Sequence, residues 1–315
     1  MSNVGGYGKI ILFGEHFVVY GLPALVFALP QQTHAVAKII SGPSRVVDQR
    51  CFADNSLKCS AEKLNHFLSA IINFLGITQS LEVTLSGDLV VMSGGTGSSA
   101  AAAVATARAI NKTCNLNLDD NAISMAALQA EKIAHGNPSG IDNTAATFGG
   151  FFIFEKGKDL HFFGSRADLH FVVIDSGMRS QTSGAVVAVQ RYRARRSECF
   201  ARLCADYEKL FSLGVQAVEQ GNLTALSMCM TMNHELLKEL GVSNADLEAI
   251  IKKTLTAGAL SVKVTGAGAG GALVALTKNK QQQHEVATAL QAQNFFVMPV
   301  TLSMPLQNTQ QPQAS

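Results

Sequence analysis

Two carboxylates, Glu131 and Asp142, stand eleven positions apart in the segment EKIAHGNPSGIDNTAATFGG. A helical pattern from about Asp119 to Ala134, which Asp119 or Asp120 can cap and Gly136 and Pro138 can stop, puts Glu131 in a last helical turn. An anion there meets the negative end of the helix dipole, so a compensating cation is expected. Asp142 follows a Pro-Ser-Gly turn. Beside a phosphate loop such acids hold Mg²⁺ or orient an attacking hydroxyl; in isolation they serve equally well as a cap and a surface ion pair.

A phosphate loop is available in GDLVVMSGGTGSSAAAA, where a strand, a glycine cluster and a helical run follow one another. Glycine lets backbone amides approach an anion closely, and a helix N-terminus adds free N–H donors and partial positive charge. The loop is not a Walker A motif, since GxxxxGK[ST] occurs nowhere and Ser98 and Ser99 follow the glycines. The alternative is a plain turn with Ser98 as the helix cap.

In KVTGAGAGGALVAL, Gly266, Gly268 and Gly271 fit the GxGxxG dinucleotide fingerprint, but that motif opens a helix and ALVAL reads as a strand. A hairpin is expected instead, its backbone close to a ligand or to another loop. Lys9 begins a strand directly after glycines, and neither His16 nor His135 has a second histidine at metal-binding spacing.

The elements that must carry these residues fall into blocks. KIILF, ALVFAL, THAVAKII and LEVTLS read as strands; seven of the ten residues from Ala100 to Ala109 are alanine, the best helix former. After the strand-like GGFFIF and HFVVID, the chain is helical over most of 183–255. It returns to strands at SVKV, ALVAL and FFVMPV, with a helix over 281–291. Segregation of this kind indicates an α+β fold. A domain boundary is expected between Lys156 and Asp168, giving a first domain over 1–165, a second domain over 166–306 and a disordered Gln- and Pro-rich tail over 307–315.

A net charge of +2 with 15% charged residues gives no footprint for nucleic acid. The dense basic run RYRARR, Arg191 to Arg196, fits a solvated helix face, with a contact to a substrate or partner as the alternative. The six cysteines are scattered, with neither CxxC nor zinc spacing, and read as reduced thiols. No apolar stretch approaches the roughly 20 residues that span a bilayer, and no secretory signal is visible at the N-terminus. A cytoplasmic location is expected, with an organelle matrix as the alternative.

Taken together and in order, GKIILFGEHFVVYGLPAL, GGTGSSAAAA and KVTGAGAGGALVAL resemble the three motifs of the GHMP kinases. HGNPSGIDNTAATFGG and NHELLKELGVS (Asn233 to Ser243) look most like the mevalonate kinase branch. The resemblance implies a first domain with a left-handed β-α-β element, a ferredoxin-like second domain, and ATP and acceptor meeting between them. It makes Asp142 the catalytic carboxylate, with Lys9 its partner beside the transferred phosphate. Glu131 and Ser99 become Mg²⁺ ligands, and Ser93, Gly94, Gly95, Thr96, Gly97, Ser98 and Ser99 wrap the ATP phosphates. Glu15, His16 and Thr182 lie where similar enzymes bind the acceptor.

The implied reaction moves the γ-phosphoryl of Mg·ATP to the 5-hydroxyl of (R)-mevalonate in isoprenoid precursor synthesis. Phosphomevalonate, galactose or homoserine as acceptor, or a non-catalytic sensor of the same fold, are the alternatives. Prenyl diphosphates, which carry paired phosphates like ATP, are expected to inhibit at the Ser93–Ser99 loop. The resemblance leaves monomer and homodimer open. Two residues depart from the family pattern, Tyr7 where it has Pro and Thr96 where it has Leu.

Overall fold

The computed structural model describes residues 5–135, 138–180 and 182–303, with the side chains at 134, 135, 182 and 183 also left aside. The tail expected from 307 lies outside the described residues. The chain forms two units, Met1–Ile10 with Phe27–Gly150, and Ile11–Val26 with Phe151–Ser315. The division therefore falls at Gly150–Phe151, earlier than the 156–168 window. In addition, the first strands belong partly to each unit, which a single boundary along the chain cannot express.

The first unit contains most of β1 (Gly5–Phe13) and β2 (Ala24–Ile39), then β3 (Arg45–Asp48), α1 (Ala61–Phe74), β4 (Leu81–Gly87), α2 (Ser98–Cys114), α3 (Asp120–His135) and α4 (Ile141–Phe148). The two runs ALVFAL and THAVAKII form one sixteen-residue strand, β2. Its partner β4 is antiparallel, with Ala35 opposite Leu85, and β1 pairs with β2. On the other side of β4 lies β3, parallel to it and joined to it through α1, which makes a β-α-β unit. Helix α1 is capped by Ser60 and buries Leu64, Leu68, Ile71 and Ile72, a helical stripe. The alanines of α2 allow close approach: a Cβ on Gly6 of β1 would stand 2.1 Å from the Ala101 carbonyl oxygen. Val104 and Ile110 of α2 join Ile123, Ala126, Ala127 and Ala130 of α3 in the core.

The second unit holds the hairpin β5 (Phe151–Phe154) and β6 (His161–Phe162), then β7 (Leu169–Asp175) and helices α5 (Thr182–Arg195), α6 (Ser197–Gln220), α7 (Leu223–Glu239) and α8 (Ala245–Thr256). It closes with β8 (Ser261–Val264), β9 (Ala272–Thr277), α9 (Lys280–Gln291) and β10 (Val297–Leu302). The sheet order β10-β7-β9-β8, antiparallel throughout, is that of a ferredoxin-like domain. Every residue of β9 is buried, so it reads as one apolar run without alternation. Pro299 sits in the edge strand β10, where a missing N–H is tolerated.

Candidate active site

Strand β1 delivers Lys9 to the glycine loop. The Lys9 backbone N–H donates to the Thr96 carbonyl at 2.9 Å and its ammonium donates to the Gly95 carbonyl at 3.2 Å. The loop takes this path because Gly94, Gly95 and Gly97 sit at φ +149°, +88° and +68°. At Gly97 a side chain is also excluded by space, since a Cβ would meet Lys9 Cγ at 2.9 Å. Gly97 is the N-cap of α2 and supplies no side-chain bond, so Ser98 is the first helical residue and not the cap. The first-turn amides of α2, near Ser98 and Ser99, remain as anion donors.

Lys9 Nζ lies 3.1 Å from Asp142 Oδ1, with Lys9 buried and Asp142 33% exposed. Asp142 occupies the first turn of α4, whose N-cap Gly140 provides no side-chain bond, so the helix N-terminus favours the carboxylate. Glu131, in the last turn of α3 as expected, is buried and accepts a 2.7 Å hydrogen bond from the Ser99 hydroxyl. Burial pushes its pKa up to about 7, the Asp142 charge adds to the rise, and the Ser99 hydroxyl and Lys9 oppose it. Lys9, Ser99, Glu131 and Asp142 thus converge in one unit on a loop of amides.

Three helices and a strand must hold that convergence. Arg108 of α2 donates to Gly5 O at the start of β1 (2.6 Å), to Thr147 O near the end of α4 (2.8 Å) and to Asp120 at the start of α3 (2.6 Å). One guanidinium ties together the elements bearing Lys9, Asp142 and Glu131. Asn143 adds a 2.7 Å bond to Ser124 of α3, and Asp119 caps that helix by accepting from the Ala122 amide. Tyr7 packs against Gly149, where a Cβ would stand 2.9 Å from its ring. Thr96 is fully buried and its hydroxyl has no hydrogen-bond partner among the described residues. Sequence reading missed Arg108 and also Arg50. The latter binds Asp48 through two hydrogen bonds, 2.8 and 2.7 Å, and donates to Ser98 O at 3.1 Å. A cavity of about 160 Å³ beside the first turn of α2 is lined by Arg50, Phe52, Leu64, Phe67, Ser98 and Ser99.

The acceptor candidates Glu15 and His16 belong to the second unit. Both are buried; Glu15 pairs with Lys263, and His16 Nε2 lies 2.8 Å from the Ala267 carbonyl. Burial lowers the His16 pKa, partly opposed by that hydrogen bond. A ring nitrogen facing a carbonyl must carry the hydrogen, so in the neutral ring Nδ1 is the acceptor. Thr182 starts α5, and its side chain lies outside the described residues. The glycine-rich hairpin, formed by β8 and β9 as expected, approaches other loops. A Cβ on Gly268 would stand 2.4 Å from Val242 O, and Gly271 N–H donates to Met178 O at 2.7 Å.

The profile of the GHMP kinases N terminal domain matches residues 55–150, and that of the GHMP kinases C terminal domain matches 215–295. The chain belongs to the GHMP kinases. It is 32% identical over 305 residues to the mevalonate kinase of Pyrococcus abyssi and 34% identical over 312 residues to that of Thermococcus gammatolerans, each alignment covering 90% of both chains. Among solved structures, L. major mevalonate kinase in complex with R-mevalonate superposes with a TM-score of 0.89 at 31% identity, over 96% of each chain. As a GHMP kinase the protein uses ATP; the glycine loop 93–99 and Asp142 lie within the matched N-terminal segment, and Lys9 precedes it in the chain. No helix among the described residues is long and apolar enough to cross a membrane.

Proposed function

We propose that this GHMP kinase phosphorylates the 5-hydroxyl of (R)-mevalonate. The observation that carries the acceptor is the whole-length likeness to a mevalonate kinase whose solved complex holds R-mevalonate. The chemistry rests on the Lys9–Asp142 pair beside the loop. The amides of Gly95 to Ser99 and the N-terminus of α2 cradle the ATP phosphates, and the cavity between Phe52 and Phe67 accepts the adenine ring. Phosphoryl transfer has a loose transition state, so positioning and charge neutralisation supply most of the acceleration. The Lys9 ammonium faces the transferred group and fixes the Asp142 carboxylate. Asp142 orients the hydroxyl and takes its proton late in the transfer.

A divalent cation fits the donors present. Glu131 and Ser99 offer hard oxygens, and the raised Glu131 pKa marks a buried anion lacking enough positive charge. Mg²⁺ binds through one or two protein oxygens, substrate phosphates and water, a role that two such oxygens can serve. Bound there, the ion would neutralise charge on the phosphate oxygens. An ADP-release assay tests the reading: turnover is expected with mevalonate and divalent metal together, and equal turnover with galactose or homoserine overturns it.

A further inference from the structure

Lys263 lies in β8, in the run SVKV whose four residues are all buried, and its ammonium donates to the Glu15 carboxylate and, at 2.9 Å, to the Val264 carbonyl. Glu15 is 1% exposed and Lys263 not at all. Taking two charges out of water commonly costs as much as their attraction returns, and an apolar pair of equal size would often serve stability as well or better. Stability by itself is therefore a weak reason for the pair. What it does is hold a segment in an uncommon shape. Gly14 has φ +113°, and His16, though not glycine, has φ 63° and ψ −43° at the head of a short 3₁₀ helix, Phe17–Tyr20. Such backbone persists only where its surroundings fix it.

Groups from β8 and the hairpin that follows hold this segment at several points. Lys263 holds Glu15, the Ala267 carbonyl holds His16 Nε2, and Thr265 both accepts from Ile11 N–H at 3.2 Å and donates to Ile11 O at 2.9 Å. We infer that the buried Glu15–Lys263 pair is a positioning device that aims the His16 imidazole at the acceptor, while neither member of the pair touches it. With Nε2 committed to Ala267, His16 Nδ1 is the nitrogen that receives an acceptor hydroxyl. The inference rests on the proposed acceptor role of the Glu15–His16 segment and confines direct contact within it to His16.

The test is steady-state kinetics of the full chain with mevalonate and Mg·ATP varied separately. Glu15→Asp keeps both charges, so the protein folds, yet it withdraws the carboxylate by about 1.5 Å, one carbon–carbon bond. KM for mevalonate should rise about tenfold, the scale of one hydrogen bond, with KM for ATP within about twofold. Lys263→Met should raise the mevalonate KM further. The double variant Glu15→Gln/Lys263→Met, which leaves no unpaired buried charge, should recover thermal stability without recovering the mevalonate KM. A mevalonate KM within twofold of wild type in Glu15→Asp overturns the inference, as does a parallel rise in both KM values, the mark of a merely structural pair. If Lys263→Met folds with an unchanged mevalonate KM while Glu15→Asp does not, Glu15 touches the acceptor itself and the inference is wrong. Absence of mevalonate turnover in the wild type instead overturns the function proposed above, and the pair is then tested by the same variants against the acceptor that is used.

Discussion

Glu131→Gln removes an ionisable group while keeping a carbonyl oxygen for the Ser99 hydroxyl, now 2.7 Å from Glu131 Oε1. In the folded protein this carboxyl titrates at about 7 rather than 4.5. The folded state then holds the proton more tightly than the unfolded chain. Stability from the protonated form is fully present below 4.5 and is lost as pH rises through about 7. A shift of that size is worth about 3 kcal/mol, of which roughly 2.5 falls between pH 5 and pH 8. Glutamine has no such dependence. Without nucleotide or divalent cation, the stability difference between variant and wild type should therefore move by about 2.5 kcal/mol in favour of the variant from pH 5 to pH 8. Urea unfolding followed by circular dichroism in EDTA measures it at each pH. Saturating Mg·ATP should reverse the order at pH 8, because the ligand stabilises the wild type by mass action and the variant has lost a hard anionic oxygen. A difference that stays flat from pH 5 to pH 8 refutes the argument that buried charge at Glu131 awaits a cation.

Asp142→Asn should lower kcat by roughly 10²-fold or more with little change in ATP binding, the range for a positioned acid or base; retention of more than about a tenth of kcat refutes the assignment. Lys9→Met should differ by raising the ATP KM as well, measured in the same assay, because the proposed phosphate site would lose a cation in both ground and transition states. Gly97→Ala places a Cβ 2.9 Å from Lys9 Cγ at φ +68°, so ATP affinity by calorimetry should fall and stability should drop by about 1–2 kcal/mol. Thr96→Val replaces a buried, unpartnered hydroxyl with a methyl of like shape, and thermal unfolding should show a gain of about 1 kcal/mol.

Local chemistry made much of the protein legible. The Asp119 cap and Glu131 near the end of α3 were readable because helix ends are written in neighbouring residues. The strand after the second glycine cluster sufficed to reject a dinucleotide fold, and β8 and β9 are indeed a hairpin. Helix α1 was legible in principle, since Leu64, Leu68, Ile71 and Ile72 repeat at helical spacing. A lysine in the apolar run SVKV likewise signals a buried partner without naming it. Only the tertiary structure names Glu15, 248 positions away. It alone shows one Arg108 guanidinium bonding to Gly5 and Thr147, 103 and 39 positions distant, and the first strands shared between two units. Periodicity, caps and glycines report forces between neighbours in the chain. The partner of a buried charge is chosen by whichever distant segment the packing brings within hydrogen-bond reach, and no local pattern records that choice.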